Sequence, residues 1–596
     1  MKAKALLVHS SKELNEVFKL DPTLKDSCDI YFLTADVDYE SMSESGVSHY
    51  YFFDRNIDVS QLTEIHRKAL HLTDNWYIDN EGNDISMIEN FSIGKCFHQF
   101  LCHVFSLAFK YQDFLKTIDQ NYKEIFITNT QNSLLNIFLN QKTLPPAKIK
   151  KISATDINNE FIPSTVITFK TEGFNTFFSP KFSFKNLIRK IFISIWMKLT
   201  SLRKVKNKVF FIPAGKTRDL IQHYISQQGE REINFLFPFT TESFSLNTKN
   251  LYHEISPAFL TEDNIKEDLL NKIQKRINPD LELSSGIILG IVEEYLSGHF
   301  NGIFSYYKST FKQLKASRPD LVMLSAESHE TNIIIAQAAK NLKLKTCMIP
   351  HGITFPLLSN LFYSGPDAIY DSAFLFSESN YEPYLRKGFK KSNLFVSSFH
   401  YFSKFLPVQQ LPESLSLQKA LILPPDFSDF CRTNYAIDGT QKIIDTCINL
   451  GITHLAIKAR IEAQLKSMFI TNSKIIFKKI EIPIYSGYGS FPFYAKNCNL
   501  VIGPPSSATI ESLLMGVPYF CYQEEEVFIG GWEYSNINEI LYVAKTPEEL
   551  LYNIEHYQIF KKEKTIDDLI YLTNLNSEND FLKLFEESVL KCIHEN

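Results

Sequence analysis

The sequence lacks the short motifs that mark several large enzyme classes. Its 596 residues contain no GxGxxG, no GxxxxGK[ST], no HExxH and no GxSxG. In each of those classes the motif residues bind the nucleotide, hold the metal or attack the substrate. Their absence disfavours a dinucleotide-binding dehydrogenase, a P-loop nucleotidase, a zincin and an α/β-hydrolase.

Paired cysteines and long apolar runs are also missing. The 9 cysteines include no CxxC pair, which favours free thiols in a reducing compartment over disulfides or a zinc site. No uncharged apolar run reaches about 18 residues, so no transmembrane helix is expected. We interpret the start, MKAKALLVHSSKEL, as a first strand and not as a signal peptide. These observations predict a cytoplasmic protein, and its net charge of −5 gives no bulk attraction to nucleic acid.

What the chain does contain is a regular alternation of short apolar runs and helical patterns. Gly is scarce, at 21, whereas Phe is abundant, at 50. We predict strands at 5–10, 29–35, 49–54, 124–129, 208–214, 233–238, 320–326, 345–351, 373–378, 420–425, 454–459, 474–480, 499–505, 518–522 and 540–545. Strands that alternate with helix-length segments such as 330–343 and 440–451 predict an α/β protein, with parallel sheets covered by helices on both faces.

A polar segment with two prolines, LPVQQLPESLSLQK at 406–419, is the natural break in this pattern. It divides the chain into an N-terminal α/β region, 1–405, which could itself be compound, and a C-terminal α/β domain, 415–596. No internal repeat is visible.

One segment differs in charge from the rest of the acidic chain. Residues 173–218 contain no Asp or Glu, whereas Lys and Arg alternate with Phe, Ile and Trp. Within it, 181–206 predicts a basic amphipathic helix suited to an anionic membrane surface. Two other interpretations stay open: a helix packed on the protein's own core with a solvated basic face, and an RNA-binding segment.

The stretch VIGPPSSATIESLLMGVPYFCY, 501–522, predicts a buried strand, a tight turn, a short helix and a second strand. Ser506 or Ser507 is suited to cap the helix, Thr509 adds a hydroxyl in its first turn, and Gly516 is suited to end it. Helix starts at the carboxyl ends of parallel strands bind phosphate. Glu511, farther along the helix, could accept hydrogen bonds from ribose hydroxyls. The alternative is an ordinary capped structural helix.

Three other strand ends carry candidate functional side chains. Lys458 and Arg460 end a strand and share one face, as expected of cations that contact a phosphate or diphosphate. His351 and Gly352 follow another strand, and His suits proton transfer near neutral pH. Glu327 follows the strand before that and could face the same cleft. Each also has a plain structural interpretation, as a surface pair or a polar turn.

An acidic turn follows the aromatic segment NWYI. It contains Asp79, Glu81 and Asp84 around Gly82. A compact acidic turn can supply a general base, and it can equally be a surface loop.

Taken in order, these motifs resemble a GT-B glycosyltransferase of bacterial surface polysaccharide (capsule or lipopolysaccharide) synthesis. The stretch SSATIESLLMGVPYF resembles the Ser-Ser-x-x-x-Glu…Gly-x-Pro segment of such enzymes, and MIPHGI resembles their His-Gly turn. The passage YEPYLRKGFKKSNLFVSSFHYF, 381–402, resembles their interdomain segment. The strand end HLAIKARIEA departs from the pattern, because Arg460 and Ile461 stand where the groups that use CMP-sugars have His and Pro.

The resemblance implies two Rossmann-like domains with parallel sheets facing a central cleft. It implies a metal-independent transfer from a nucleotide sugar, with a CMP-activated nonulosonic acid or Kdo-type donor as the best match, to a glycan or lipid-linked acceptor. In that reading Ser506, Ser507, Thr509, Glu511, Lys458, Arg460, Gly352 and Glu327 bind the donor, and Glu81, Asp84 or His351 is the base. The expected location is the inner face of the cell membrane, without a further cofactor. The alternatives are a CDP-glycerol-type glycerophosphotransferase, a UDP-sugar 2-epimerase on the same scaffold, and a non-catalytic scaffold protein.

Overall fold

A computed structural model gives the structure of most of the chain. It describes residues 3–37, 42, 45–47, 49–128, 133–152, 206–212, 224, 232–238, 251–253, 263–278, 281–325, 330–349, 369–375, 381–386, 388–396, 402, 404–425, 431–459, 470–471, 474–477, 480–485, 490–524, 543–563 and 578–594. The predicted membrane-surface helix, 181–206, lies outside these residues except for its last position. Among the helices in the described ranges, none is long and apolar enough to cross a membrane.

The first unit is a five-stranded parallel sheet with strand order β3-β2-β1-β6-β7. Its strands, with a separate small hairpin, are β1 Lys4–Ser10, β2 Cys28–Asp36, β3 Tyr51–Phe52, β4 Met87–Ile88, β5 Phe91–Ser92, β6 Glu124–Thr128 and β7 Ile149–Ile152. Its helices are α1 Ser11–Leu20, α2 Leu24–Ser27, α3 Val59–Asn75, α4 Ile93–Cys96, α5 His98–Asn121 and α6 Ser133–Asn140, followed by a 3-10 turn, Pro146–Lys148. Polar side chains fix helix starts: Ser10 accepts from the amide of Glu13, and Asp58 forms a capping box with Gln61.

The second unit is a seven-stranded parallel sheet with the order β10-β9-β8-β11-β12-β13-β14. Its strands are β8 Lys208–Ile212, β9 Asn234–Pro238, β10 Leu251–His253, β11 Leu321–Ser325, β12 Lys345–Ile349, β13 Ser372–Leu375 and β14 Leu394–Val396. Its helices are α7 Asp263–Arg276, α8 Ser285–Ser317, α9 Glu330–Asn341 and α10 Tyr381–Arg386, with a 3-10 turn at Lys391–Asn393. In order of appearance along the chain these strands lie 3-2-1-4-5-6-7, which begins as the Rossmann order does.

The third unit is built in the same way. Its strands are β15 Lys419–Ile422, β16 His454–Lys458, β17 Ile470–Thr471, β18 Lys474–Phe477, β19 Ile480–Tyr485, β20 Leu500–Gly503 and β21 Tyr519–Cys521. Its helices are α11 Tyr435–Asn449, α12 Phe491–Ala495, α13 Ser507–Leu514, α14 Pro547–Glu555 and α15 Tyr557–Glu563. The parallel part runs β19-β16-β15-β20-β21, and β17 and β18 add an antiparallel edge.

The last helix, α16 Glu578–His594, returns to the second unit. Its apolar residues Leu582, Phe585 and Val589 pack on one face of the second sheet, together with Val209 and Phe211 of β8. The predicted boundary placed this helix with the C-terminal domain, because local pattern does not show which sheet an amphipathic helix covers.

The predicted α/β class with parallel, Rossmann-like sheets is confirmed. The region 1–405, which the sequence left as a region that could be compound, contains two sheets. The first and second units share one continuous apolar core, which runs from the first sheet through α3 and α5 to α8, α9 and the second sheet. The linker 404–418 packs on the third unit, where the amide of Gln409 donates to the carbonyl of Leu514 at 3.1 Å.

Candidate functional site

The third sheet has its topological switch point between β15 and β20. These two strands are neighbours, and the chain leaves them toward opposite faces of the sheet. Helix α11, which follows β15, packs on the face that carries Ile422 and Ile502. Helix α13, which follows β20, packs on the other face, with Leu421 and Val501. Loops that diverge in this way leave a crevice at the carboxyl ends of the strands, where doubly wound proteins bind ligands.

The stretch GPPSS lies at this crevice. Strand β20 ends at Gly503, and α13 begins immediately after Ser506, whose extended backbone makes it the N-cap residue. Gly503 allows a close strand approach, because a Cβ there would lie 2.6 Å from the Cβ of Leu423. The hydroxyl of Tyr519 fixes the turn by donating to the carbonyl of Pro504 at 2.7 Å. The predicted strand, turn and capped helix are therefore confirmed, and Gly516 ends the helix with φ of +73°.

Ser506 and Ser507 are half-buried at the helix start. The first amides of an α-helix have no acceptor within the helix, and the aligned peptide dipoles make this end positive. Hydroxyls, free amides and a positive dipole end together suit an anionic group such as a phosphate.

Thr509 and Glu511 lie deeper than the sequence pattern indicated. Thr509 is fully buried, and its hydroxyl accepts a hydrogen bond from the amide of Ser506 at 3.1 Å. It therefore stabilises the helix start and does not face the crevice. Glu511 is 4% exposed, so direct contact with a ribose would require this turn of the helix to move. Sequence spacing shows on which face of a helix a residue lies, but it does not show how deeply that face is buried.

Lys458 is at the carboxyl end of β16, the neighbour of β15. Its side chain is buried, and its Nζ donates to the carbonyl of Ala459 at 2.7 Å. Burial lowers the pKa of this ammonium group, because it penalises the charged form. Arg460 lies outside the described residues, so the predicted cationic pair is described only for Lys458.

An aromatic pair that the sequence analysis did not single out lies beside these strand ends. The ring of Tyr485, at the carboxyl end of β19, stacks on that of Tyr494 in α12, with 4.3 Å between centroids. Tyr485 is also the register partner of Lys458. The available signal was the glycine- and aromatic-rich run SGYGSFPFY, which joins the two residues.

The strands that lead to His351, Gly352 and Glu327 are adjacent in the second sheet. Strand β11 ends at Ser325 and β12 at Ile349, and the two pair in parallel. The three predicted residues lie outside the described residues. The end of β11 is fixed by Asn332, whose Nδ2 donates to the carbonyl of Ser325 at 2.5 Å.

The acidic turn is held together by its own carboxylates. Oδ1 of Asp79 accepts from the amides of Glu81 and Asn83 at 3.0 and 2.9 Å, and Oδ2 lies 2.8 Å from the guanidinium of Arg276 in α7. Hydrogen bonds from these backbone amides lower the pKa of Asp79, and the charge of Arg276 adds to the shift. Through Asp79 and Arg276 the turn connects the first unit to α7 of the second.

The two predicted bases in this turn are not brought to the crevice by any contact among the described residues. The side chain of Glu81 is 77% exposed and lies 3.8 Å from Arg276. Oδ1 of Asp84 accepts from the amide and hydroxyl of Ser86, at 2.8 and 2.6 Å. An Asp- and Gly-rich turn has the same composition whether it is structural or supplies a base, so the assignment of Glu81 or Asp84 as the base stays a prediction.

Comparisons with known proteins were made for the family, for curated proteins and for solved structures. No family model and no curated protein matches the chain. Several solved structures are similar in fold. The UDP-GlcNAc 2-epimerase of Neisseria meningitidis, bound to UDP-GlcNAc, is 11% identical with a TM-score of 0.36, over 64% of this chain and 99% of that one.

Two further solved structures give similar values. The lipopolysaccharide outer core galactosyltransferase WaaB is 11% identical with a TM-score of 0.36, over 64% of this chain and 99% of that one. HepE of Anabaena, in complex with UDP and glucose, is 10% identical with a TM-score of 0.36, over the same shares of the two chains. At these identities and scores the similarity identifies neither a family nor an activity for this chain.

Proposed function

We propose that the protein is a GT-B-type glycosyltransferase that binds a nucleotide sugar at the switch point of its third sheet. The proposal rests on one observation. Ser506 and Ser507 begin a helix at the switch point of the third sheet, which is the crevice that the strand order indicates. Doubly wound sheets bind nucleotides at such a point, with phosphate at the helix start.

The residues of this site have separable functions in the proposal. The start of α13 and the two serine hydroxyls bind the donor phosphates. Lys458 offsets the charge that develops on the leaving nucleotide, which is electrostatic stabilisation by a group already in place. Glu511 is buried in the second turn of α13. His351, which follows β12 in the second sheet, is a candidate for the base that takes the proton of the acceptor hydroxyl, as are Glu81 and Asp84.

The donor and the cellular location are finer parts of the same proposal. A CMP-activated nonulosonic acid or Kdo-type donor is the expectation from sequence, and the acceptor would be a surface glycan or its lipid-linked precursor. The basic aromatic segment 181–206 would hold the enzyme at the inner face of the membrane, where such acceptors are found.

A nucleotide screen tests the proposal directly. Thermal unfolding is measured with CMP, CDP, UDP, GDP and dTDP, since a ligand present at about 100 times its Kd stabilises the folded state by about 2.7 kcal/mol. We expect one base to raise Tm clearly. If none of the five does, the nucleotide site is refuted and the non-catalytic scaffold gains support.

Matched serine variants then locate the binding. S506A/S507A should abolish the nucleotide-dependent shift, whereas S284A should retain it. Ser284 caps α8 in the second unit by accepting from the amide of Ile287. Both changes remove a helix cap, at a cost of about 1 kcal/mol, so only the loss of the shift distinguishes them.

Product analysis separates the remaining enzymes. Release of CMP from a CMP-sugar supports the sugar transferase, and release of CMP from CDP-glycerol supports the glycerophosphotransferase. Conversion of UDP-GlcNAc to its 2-epimer without an acceptor would assign the epimerase.

A further inference from the structure

A buried ion pair joins the first unit to the third. Asp54 follows β3 of the first sheet, and Lys110 lies in α5. Lys110 Nζ is 3.2 Å from Asp54 Oδ2, and the two side chains are 2% and 0% exposed. Charges removed from water to this extent persist only when they are paired and hydrogen-bonded. Further partners of Asp54 Oδ2 and Lys110 Nζ belong to the third unit.

Both charges bind backbone of the segment that precedes α11. Asp54 Oδ2 accepts from the amide of Thr433 at 2.9 Å and from its hydroxyl at 3.0 Å. Lys110 Nζ donates to the carbonyl of Cys431 at 2.5 Å. The backbone is thus fixed at two points, because the carboxylate accepts a hydrogen bond from an amide and the ammonium group donates one to a carbonyl. Hydrogen bonds to charged groups are stronger than those between neutral groups.

The residues held in this way lie immediately before α11, the helix that follows β15. Strand β15 ends at Ile422, and α11 begins at Tyr435. The amide of Leu423 donates to the carbonyl of Ile502 at 2.8 Å, so the chain leaves β15 directly beside β20 and the GPPSS turn. Because a helix that follows a parallel strand starts at the carboxyl end of the sheet, the first unit holds the backbone at the start of α11, on the side of the switch point opposite α13.

We infer that Asp54 and Lys110 are positioning residues for the nucleotide site of the third sheet. They contact the backbone of the loop after β15 and not the nucleotide, and they make the first α/β unit a required part of a site that lies in another unit. The inference rests on the proposed function, because it assumes that the crevice binds the donor. It predicts that loss of the two tethers weakens nucleotide binding while the fold is kept.

The test compares two double variants in which the buried charges are removed together. D54L/K110M replaces the pair by apolar residues of similar size and abolishes both tethers. D54N/K110M also removes both charges, but its amide oxygen can still accept from Thr433. A hydrogen bond to a charged group contributes about 1.5–3 kcal/mol, and a cost of about 1.4 kcal/mol for ordering the freed backbone on binding would raise the Kd about tenfold. We therefore expect the Kd of the nucleotide selected in the screen to rise at least about tenfold in D54L/K110M and by less than about threefold in D54N/K110M.

Two controls make the result specific. Y122F removes hydrogen bonds of the first unit that involve Tyr31 and Asp29 and do not reach the third unit, so its Kd should equal that of the wild type. T433V leaves both charges in place, loses the hydroxyl tether alone, and should raise the Kd by about threefold. It provides the measurement if D54L/K110M does not fold. Hydrogen exchange of 423–438 should increase in D54L/K110M and stay unchanged in Y122F.

The outcomes separate this inference from the proposed function. If the wild type binds none of the nucleotides, the proposed function fails and the positioning assignment fails with it. If the wild type binds and the folded D54L/K110M binds equally well, or T433V does where the double variant is unfolded, the proposed function stands and the positioning assignment is overturned. The positioning assignment is also overturned if D54N/K110M binds the nucleotide as weakly as D54L/K110M does. Keeping an oxygen that accepts from Thr433 would then have no effect on the Kd.

Discussion

Gly503 is the residue at which the geometry of the crevice can be perturbed with the smallest chemical change. An added Cβ would lie 2.6 Å from the Cβ of Leu423, 2.8 Å from the hydroxyl of Tyr519 and 3.0 Å from the carbonyl oxygen of Leu423. The first contact involves an atom next to the backbone, which cannot rotate away. Gly503→Ala must therefore push β15 and β20 apart where Leu423 pairs with Ile502.

The cost follows from overpacking of a tight interior, which is about 1–3 kcal/mol. We expect G503A to lower the free energy of unfolding by that amount in urea titrations followed by circular dichroism. It should also weaken nucleotide binding, because the displaced hydroxyl of Tyr519 fixes the turn that precedes Ser506. The double variant G503A/Y519F removes one of the three clashes, so it should lose less stability than the sum of the single changes.

Gly298→Ala is the matched control. Gly298 lies within α8, is exposed, and an added Cβ there would meet no atom within 4 Å. In a helix interior the change from Gly to Ala stabilises by about 0.5–1 kcal/mol. The reasoning is refuted if G503A is as stable as the wild type, or if G298A and G503A shift stability in the same direction.

Three further predictions concern other parts of the chain. E81Q and D84N should leave the nucleotide Kd unchanged, as measured in the thermal-shift assay, because no described contact brings either carboxylate to the crevice; a weaker Kd in either variant would contradict this. The transfer rate decides whether either residue is the base, since loss of a general base lowers that rate by about 100-fold or more at an unchanged nucleotide Kd. Burial alone would raise the pKa of Glu13, but the charge of His9 and hydrogen bonds from His9 and Thr128 outweigh it and hold the pKa below its ordinary value of 4.5. A lowered pKa in the folded state stabilises at pH values above 4.5, and that stabilisation is lost as the pH falls through the lowered value. E13Q should therefore show a smaller drop in Tm on acidification than the wild type, and an equal drop would contradict this. Deletion of 181–206 should abolish cosedimentation with anionic vesicles, and unchanged cosedimentation would refute the membrane-surface segment.

The sequence predicts the central strands well and the edge strands poorly. Every predicted strand overlaps an observed one apart from 540–545, of which the structure describes only 543–545; there Ala544 forms an isolated bridge to Tyr522. Several of the unpredicted strands are edges: β7, β10, β14 and β17 each end a sheet. A central parallel strand is buried on both faces and appears as an apolar run, whereas the edge strand β7, Ile149–Ile152, has two adjacent exposed lysines between half-buried isoleucines.

The hairpin β18–β19 shows a different limit. The run KIIFKKI predicts one strand, but the chain turns after Phe477 and pairs antiparallel with Ile480–Tyr485. Pro483 in the second strand has no amide hydrogen to donate to a ladder. It is the register partner of Lys474 in β18, and on the other side β19 pairs with β16 only at Ile484 and Tyr485.

The candidate site shows what local patterns contain and what they omit. The helix start at Ser506 could be predicted, because a cap, a turn and a helical stop are adjacent in the chain. The function of Asp54 and Lys110 could not, because their partners Cys431 and Thr433 are more than half the chain away. Burial of a charge is decided by tertiary contacts, and the two residues look like ordinary surface charges in the sequence.

Strand order alone does not select one site among the three sheets. Counting parallel strands only, each sheet has its first strand between its second and its fourth, so each has a switch point. At the first, Glu13 fills the end of β1 by bonding to His9 and Thr128, so its polar groups are satisfied internally. At the third, the serine hydroxyls of the helix start are half-buried, and the backbone at the start of α11 is held by two buried charges from another unit. The switch point of the third sheet therefore differs physically from that of the first. A buried ion pair of another unit holds backbone beside the third, whereas side chains of the first sheet fill the first. That difference, added to the strand order and the helix start, favours Ser506 over the first sheet as the place to look for the nucleotide.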